Sequence, residues 1–121
     1  SAAWDQEADP RQRLFLFVDR MVARRELLTH HGCPIGSLTQ ELDKHHNKLS
    51  RHADQILHTQ TRWALRQFEA LGYSKARARR LAEEFIARCQ GAILMASAFG
   101  DARVIVRAGE SLRKWIQDLS D

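Results

Sequence analysis

Hydrophobic residues recur along the chain at spacings of three and four, and glycine-containing or polar breaks separate five such stretches. This spacing gathers hydrophobic side chains on one face of an α-helix, so the pattern predicts an all-α fold. Asp9 and Pro10 favour the first helix start, because Asp caps free amides and Pro suits the first helical position. The five predicted helices cover about residues 9–32, ending at Gly32, then 37–46, 51–71 with a cap at Ser50, 75–99 with a cap at Ser74, and 102–119 with a cap at Asp101.

The fourth predicted helix changes character halfway along. Opposite charges four residues apart, such as Arg80 and Glu84, indicate a solvated first half. From Gln90 to Gly100 no charged residue occurs, so the second half lacks the polar face that a helix of a small domain usually keeps. A second copy of the chain can cover this half, and we therefore predict a homodimer.

The length and composition indicate one domain. The chain has 121 residues, of which 44% are hydrophobic, and 19 basic against 15 acidic residues give a net charge of +4. A net charge of this size is compatible with an acidic partner but does not by itself indicate nucleic-acid binding. No apolar run reaches the length of a membrane span, so we expect no membrane partner. The two cysteines are far apart and fit reduced thiols, so we expect a cytoplasmic location. Residues 1–8 are predicted to be a linker or a cut end, and 9–121 the helical domain.

The residues that could carry chemistry do not form a recognised catalytic pattern. The six histidines include no pair four residues apart, which a helical zinc site favours, so we predict neither a metal nor a cofactor. Nucleophile elbows and phosphate-binding loops do not occur, and we expect no enzyme activity. Of the two cysteines, Cys89 is predicted to be structural, whereas Cys33, beside Pro34, leaves open a thiol-based redox sensor.

One face of the third predicted helix combines hydrophobic residues with the amides of Gln60 and Gln67. Amides that face a core must find partners or cost about 1–3 kcal/mol each. Either other core groups or a small molecule in a cavity could provide those partners, and Phe17, Met21 and Trp63 could supply apolar walls for such a cavity. These five residues are the predicted ligand-binding set.

Two sequence elements resemble the C-terminal half of TetR-family transcriptional regulators. The first is GCPIGSL at residues 32–38, and the second is QGAILMA at residues 90–96, followed by Gly100 and Asp101. Their order, spacing and helical setting carry the resemblance, which covers about residues 9–119.

The resemblance implies a fold, a partner and a function. The last two helices would form a four-helix bundle with their copies in a second subunit, and each subunit would hold a small, mostly apolar effector. Effector binding would release operator DNA from an N-terminal helix-turn-helix domain that this chain lacks, so the chain would be the regulatory domain of a repressor. The residues predicted at the dimer interface or in the adjoining core are Leu81, Phe85, Ala92, Ala96, Phe99, Ile105, Leu112 and Ile116.

Besides a helical enzyme, which would require a cluster of buried titratable groups that the sequence does not indicate, two other functions remain open. One is the redox sensor that uses Cys33, which an alkylation assay would test. The other is a helical dimerisation module that binds no ligand.

Overall fold

Five helices make up nearly all of the chain that the computed structural model describes, which is residues 8–31 and 48–119. In chain order they are α1 (Pro10–Ala23), α2 (Arg25–His31), α3 (Lys48–Ala70), α4 (Lys75–Phe99) and α5 (Arg103–Asp118). No strand occurs within these two ranges, and the predicted all-α fold is confirmed. The short helix predicted over residues 37–46 and the stop at Gly32 lie outside the described residues.

Two predicted helix boundaries were wrong. The first predicted helix is divided at Arg24, whose backbone N–H reaches back to carbonyls of the last turn of α1. The division lets α1 pack against α3 and α5 while α2 turns onto α4, and a continuous helix could not follow both surfaces. Helix α3 already includes Lys48, so the predicted cap position at Ser50 lies within the helix.

The other predicted caps are present and explain where α1, α4 and α5 begin or end. Asp9 accepts a hydrogen bond from the backbone N–H of Arg11 at 3.0 Å, and Ser74 accepts one from Arg77 at 3.2 Å. Gly100 ends α4 in the left-handed region, at a φ of 65°. Asp101 accepts from the N–H of Arg103, the first residue of α5, at 3.0 Å.

Helix α4 lies at the centre of the fold and packs against α2, α3 and α5. Its fully buried Phe85 meets Phe68 of α3 edge to face, with ring centroids 6.3 Å apart, and stacks on Trp115 of α5 at 6.4 Å. Phe68 and Trp115 also meet edge to face at 6.0 Å. Such aromatic pairs add to the burial of their apolar surface. This triangle of rings joins α3, α4 and α5 into one core.

Helices α1 and α5 approach closely at Gly109. A Cβ atom built at this buried glycine would lie 2.5 Å from Cγ2 of Val22. Val is stiff in a helix because its β-branch leaves one strongly preferred rotamer, so Val22 cannot easily move away. The absence of a side chain at Gly109 is therefore what lets the two helices pack at this distance.

We expect Gly109→Ala to destabilise the domain, although alanine favours helix formation by about 1 kcal/mol over glycine. The overpacking cost of about 1–3 kcal/mol should outweigh that gain. Gly91→Ala is the matched control, because a Cβ there meets nothing within 4 Å in the protomer and the helix gain remains. In urea unfolding, we expect Gly109→Ala to be less stable than Gly91→Ala by about 2 kcal/mol. Equal stabilities would contradict this account of the α1–α5 contact.

Candidate functional site

Phe17 and Trp63 form a half-buried aromatic pair where α1 meets α3. Their rings stack with centroids 5.2 Å apart, and the ring of Phe17 also lies 5.5 Å from that of Phe85 on α4. The aromatic pair thus lies where α1, α3 and α4 meet. Met21, one turn after Phe17, is 6% exposed and belongs to the core. Of the three predicted apolar walls, Phe17 and Trp63 retain accessible surface and Met21 has almost none.

The two amides predicted for a ligand have different surroundings. Gln67 is 2% exposed; its amide nitrogen donates to the carbonyl oxygen of Trp63 at 3.0 Å, and its amide oxygen accepts from Arg13 at 3.2 Å. Gln60 is half-buried, and its amide oxygen accepts from the amide nitrogen of Gln90 on α4 at 3.0 Å. Core groups therefore partner both amides, which is one of the two alternatives that the sequence left open.

The uncharged half of α4 is only partly covered by its own chain. Three large apolar side chains stay exposed, Leu94 at 39%, Met95 at 48% and Phe99 at 65%. Ala92 and Ala96 are buried, at 6% and 0%. Met95 and Phe99 are four residues apart and share one side of the helix, whereas Leu94 lies on another side. We call Met95 and Phe99 the apolar α4 face.

The structure places most of the predicted interface residues inside the protomer. Each of the following is at most 2% exposed: Leu81, Phe85, Ala96, Ile105, Leu112 and Ile116. These six and the 6% exposed Ala92 are buried within the protomer, and of these seven Ala92 and Leu112 also line a groove between α4 and α5. Phe99 is the one predicted interface residue that presents a large apolar surface.

The exposed positions of α4 could have been found from the sequence. Helix residues four apart share a face, so Met95 and Phe99 lie together. Counting back in steps of four and three from Met95 leads through Gly91 and Arg88 to Glu84, which belongs to the charged, solvated stripe. That stripe indicates which side of α4 points away from the protomer. Extending that stripe from Glu84 adds Met95 to the predicted interface, whereas Leu94 lies off the stripe.

A groove of about 570 Å³ runs between the second half of α4 and the first half of α5. Its walls include Met95 and Phe99 of the apolar α4 face, and Val104 and Ala108 contribute from α5. The groove continues the apolar α4 face onto the next helix, so an apolar surface is shared by the two helices that were predicted to form the interface.

Three charged residues line this groove, namely Arg88 and Asp101, which other groups of the chain hold, and the exposed Arg107. Arg88 donates to the hydroxyl of Ser111 at 2.7 Å, and its guanidinium lies 5.5 Å from the ring centroid of Trp115. Asp101 accepts two hydrogen bonds from the Arg103 guanidinium, at 3.0 and 3.1 Å. These side-chain bonds, the backbone bond from Arg103 and the positive charges nearby lower the pKa of Asp101. Asp101 therefore stays ionised at neutral pH.

No metal or thiol site appears in the part of the chain that the structure describes. Those residues contain no group of three or more His, Cys, Asp or Glu side chains that could hold a metal ion. Asp54 and His58 form a pair at 3.3 Å, but both are mostly exposed.

Cys89 is 1% exposed, and burial raises the pKa of its thiol to about 12 although Arg88 opposes the shift. A thiol with this pKa is protonated at neutral pH and is a poor nucleophile. Cys33 lies outside the described residues.

The raised pKa of Cys89 predicts a loss of stability at alkaline pH. The unfolded chain releases the thiol proton above its ordinary pKa of 9.0, whereas the folded chain holds it to about 12. The stabilising contribution of this group is therefore intact below about pH 9 and declines as the pH rises towards 12. Between about pH 8 and pH 10.5, we expect the stability difference between the native protein and Cys89→Ala to fall by about 2 kcal/mol.

Urea unfolding of both proteins across this pH range measures the effect, because the other titrating groups cancel in the difference. A constant difference between native protein and Cys89→Ala would mean that the thiol ionises equally in the folded and unfolded chains.

Comparison with known protein families gives one match. Residues 11–111 match the family described as the C-terminal domain of LmrA/YxaF-like transcriptional regulators. The chain belongs to this TetR-type family. The match spans α1 to the middle of α5, so it includes the Phe17–Trp63 pair, the apolar α4 face and most of the groove. A search of curated proteins found no match to the chain.

Membership of the TetR-type family makes the chain a regulatory domain of a transcriptional regulator, and such domains are not catalytic. Effector binding and dimerisation are the general roles of the class. Among the helices described, none combines the length and apolarity that crossing a bilayer requires.

Proposed function

We propose that this domain binds a small, mostly apolar effector beside Phe17 and Trp63, and dimerises through α4 and α5. Its dimer would carry two N-terminal DNA-binding domains whose spacing changes when the effector binds, so that operator DNA is released. The observation that carries this proposal is the exposed apolar α4 face, in a chain that belongs to a family of regulatory domains.

A second copy of the chain is the covering that best suits the apolar α4 face. Water-exposed apolar patches of this kind usually mark an interaction site. Most homodimers have a two-fold axis, so the same patch serves both subunits and every contact occurs twice. The groove between α4 and α5 offers a concave surface next to the projecting Phe99, which permits one copy to receive the other.

The effector site is supported by the residues that line the junction of α1, α3 and α4. Phe17 and Trp63 offer stacked apolar surface that is still partly accessible, and Gln60 places a polar group one turn away from Trp63 on α3. Small-molecule sites commonly combine such apolar walls with a few polar groups. The polar groups here are uncharged amides, so a mostly apolar effector suits them.

Helix α4 connects the two sites directly. Phe85 lies against Phe17 at the effector site, and Phe99 lies fourteen residues further along the same helix. At 1.5 Å per residue, the two positions are about 21 Å apart on one rigid element. An effector that favours one position of α4 over another would thereby change the arrangement of the dimer.

Sedimentation velocity and thermal-shift screening test the two halves of the proposal. We expect the domain to sediment as a dimer at micromolar concentration, and apolar compounds that bind should raise its melting temperature. A Trp63→Ala variant that still folds should lose that increase, because it removes one wall of the site. A chain that stays monomeric at about 100 µM, where a dimer with a micromolar Kd would be largely assembled, would overturn the dimer.

Absence of any binding compound in a broad screen would favour the ligand-free dimerisation module. The redox alternative through Cys33 stays a prediction, since that residue is not among those described. Alkylation of the native protein tests it, with the protonated Cys89 as an internal unreactive control.

A further inference from the structure

Gln60 and Gln90 form a side-chain hydrogen bond across the α3–α4 interface, at the edge of the Phe17–Trp63 pair. The amide nitrogen of Gln90 donates to the amide oxygen of Gln60 at 3.0 Å, and both residues are half-buried. Gln60 lies one helical turn before Trp63, so both occupy the same side of α3. Gln90 is not among the residues that the sequence predicts to bind a ligand.

We propose that the effector forms its polar contacts with Gln60 and Gln90. An uncharged polar group of the effector would hydrogen-bond to their side-chain amides. This inference rests on the effector site proposed above. An amide, hydroxyl or carbonyl group of the ligand can replace the hydrogen bond between Gln60 and Gln90 with hydrogen bonds from the ligand to these side chains. The exchange then leaves no buried polar group without a partner, which is the costly outcome.

Gln67 is excluded from this role by its surroundings. Its nitrogen is held by the carbonyl of Trp63 and its oxygen by Arg13, and only 2% of the residue is accessible. A ligand that displaced these partners would leave a backbone carbonyl and part of a guanidinium without those bonds. Of the two amides on α3, the structure therefore assigns recognition to Gln60 and a structural role to Gln67.

The chemistry of the pair limits the class of effector. Two primary amides provide hydrogen-bond donors and acceptors but no charge, so they favour an uncharged hydrogen-bonding group on the ligand. Neither side chain of the pair offers an opposite charge to compensate a carboxylate or ammonium group for its lost water. The effector expected at this site is thus an apolar molecule with a neutral polar group that reaches α3 and α4 together.

A matched pair of probes tests this inference. The first is 2-naphthamide, which has a neutral amide on an apolar ring system, and the second is 2-methylnaphthalene, which has the same rings without the amide. Binding of both to the domain is measured through the fluorescence of its tryptophans or by calorimetry. The quantity of interest is the ratio of the two dissociation constants, which reports the contribution of the polar group.

The ratio is compared among the native protein, Gln60→Met, Gln90→Met and the control Gln55→Met. Methionine keeps the length of glutamine and removes its hydrogen bonds, and Gln55 is exposed on the same helix. We expect the preference for 2-naphthamide to fall about tenfold in Gln60→Met and Gln90→Met, as the loss of one or two hydrogen bonds implies. Gln55→Met should keep the native ratio.

The outcomes separate this inference from the proposed function. If both probes bind and the ratio is the same in all four proteins, the effector site stands and the role of Gln60 and Gln90 is wrong. If neither probe binds the native protein, the effector site is overturned and this inference with it. Should Gln60→Met or Gln90→Met fail to fold, Gln60→Glu and Gln90→Glu keep the size and replace the neutral amide by a charge, and must likewise lower the ratio.

Discussion

Replacing Phe85 by alanine is expected to lower the free energy of unfolding by about 3–5 kcal/mol. Phe85 is fully buried, and its ring meets those of Phe17, Phe68 and Trp115, so the substitution leaves a cavity that borders four helices. A domain of this size has a total stability of about 5–15 kcal/mol, which makes the loss a large fraction of the whole. We expect the melting temperature to fall by roughly 10–20 °C.

Chemical unfolding of the native protein, Phe85→Ala and Phe85→Leu at one protomer concentration measures the effect. Leucine retains most of the buried volume, so Phe85→Leu should lose clearly less stability than the alanine variant. Equal, small losses in both variants would show that Phe85 is not part of a packed core. Because Phe85 has no exposed surface, a selective effect on dimerisation without loss of protomer stability would also contradict the structure.

Replacing Phe99 by aspartate is expected to dissociate the proposed dimer while leaving the protomer folded. Phe99 is 65% exposed on the apolar α4 face, so a polar side chain costs the isolated protomer little. In a symmetric dimer the change acts twice, and each copy loses about 1.5–3 kcal/mol of buried apolar surface and also brings a charge to the interface. We expect the dimer dissociation constant to rise by two to four orders of magnitude, which is about 3–6 kcal/mol.

Sedimentation velocity across a concentration series measures this change, and circular dichroism checks that the helices remain. Thr59→Asp is the control, because Thr59 is exposed on α3 and receives the same change of charge away from α4 and α5. The control should sediment like the native protein. A Phe99→Asp variant that remains dimeric at low micromolar concentration would remove the apolar α4 face from the interface.

The helical elements could be predicted closely where local signals decide them. Ser74 and Gly100 bound α4 as expected, because a cap hydroxyl and a left-handed glycine act on the adjoining turn alone. The division at Arg24 was missed because residues on both sides keep helical periodicity. It depends on two different packing partners, α5 for α1 and α4 for α2, and these contacts are not visible in a local pattern.

The candidate site could be predicted only in part. The residue types of Phe17 and Trp63 predict apolar walls, and helical spacing predicts that Gln67 lies on the inward face of α3. Which amide is already held by two protein groups depends on Arg13, which is 54 positions away in sequence. The pairing of Gln60 with Gln90 is likewise a contact between helices, 30 positions apart. A single sequence contains no direct signal for such partners.

The sequence by itself determined the helical class, the caps at Asp9 and Ser74, the family resemblance and the uncharged half of α4, because each depends on neighbouring residues or on their order. Tertiary structure decided which side of that half is covered. Ala92 and Ala96 turn into the core and Met95 and Phe99 do not, since burial depends on where α3 and α5 lie around α4. The same reason applies to the amides: periodicity sets the face on which a side chain lies, and only the packed neighbours determine what it bonds.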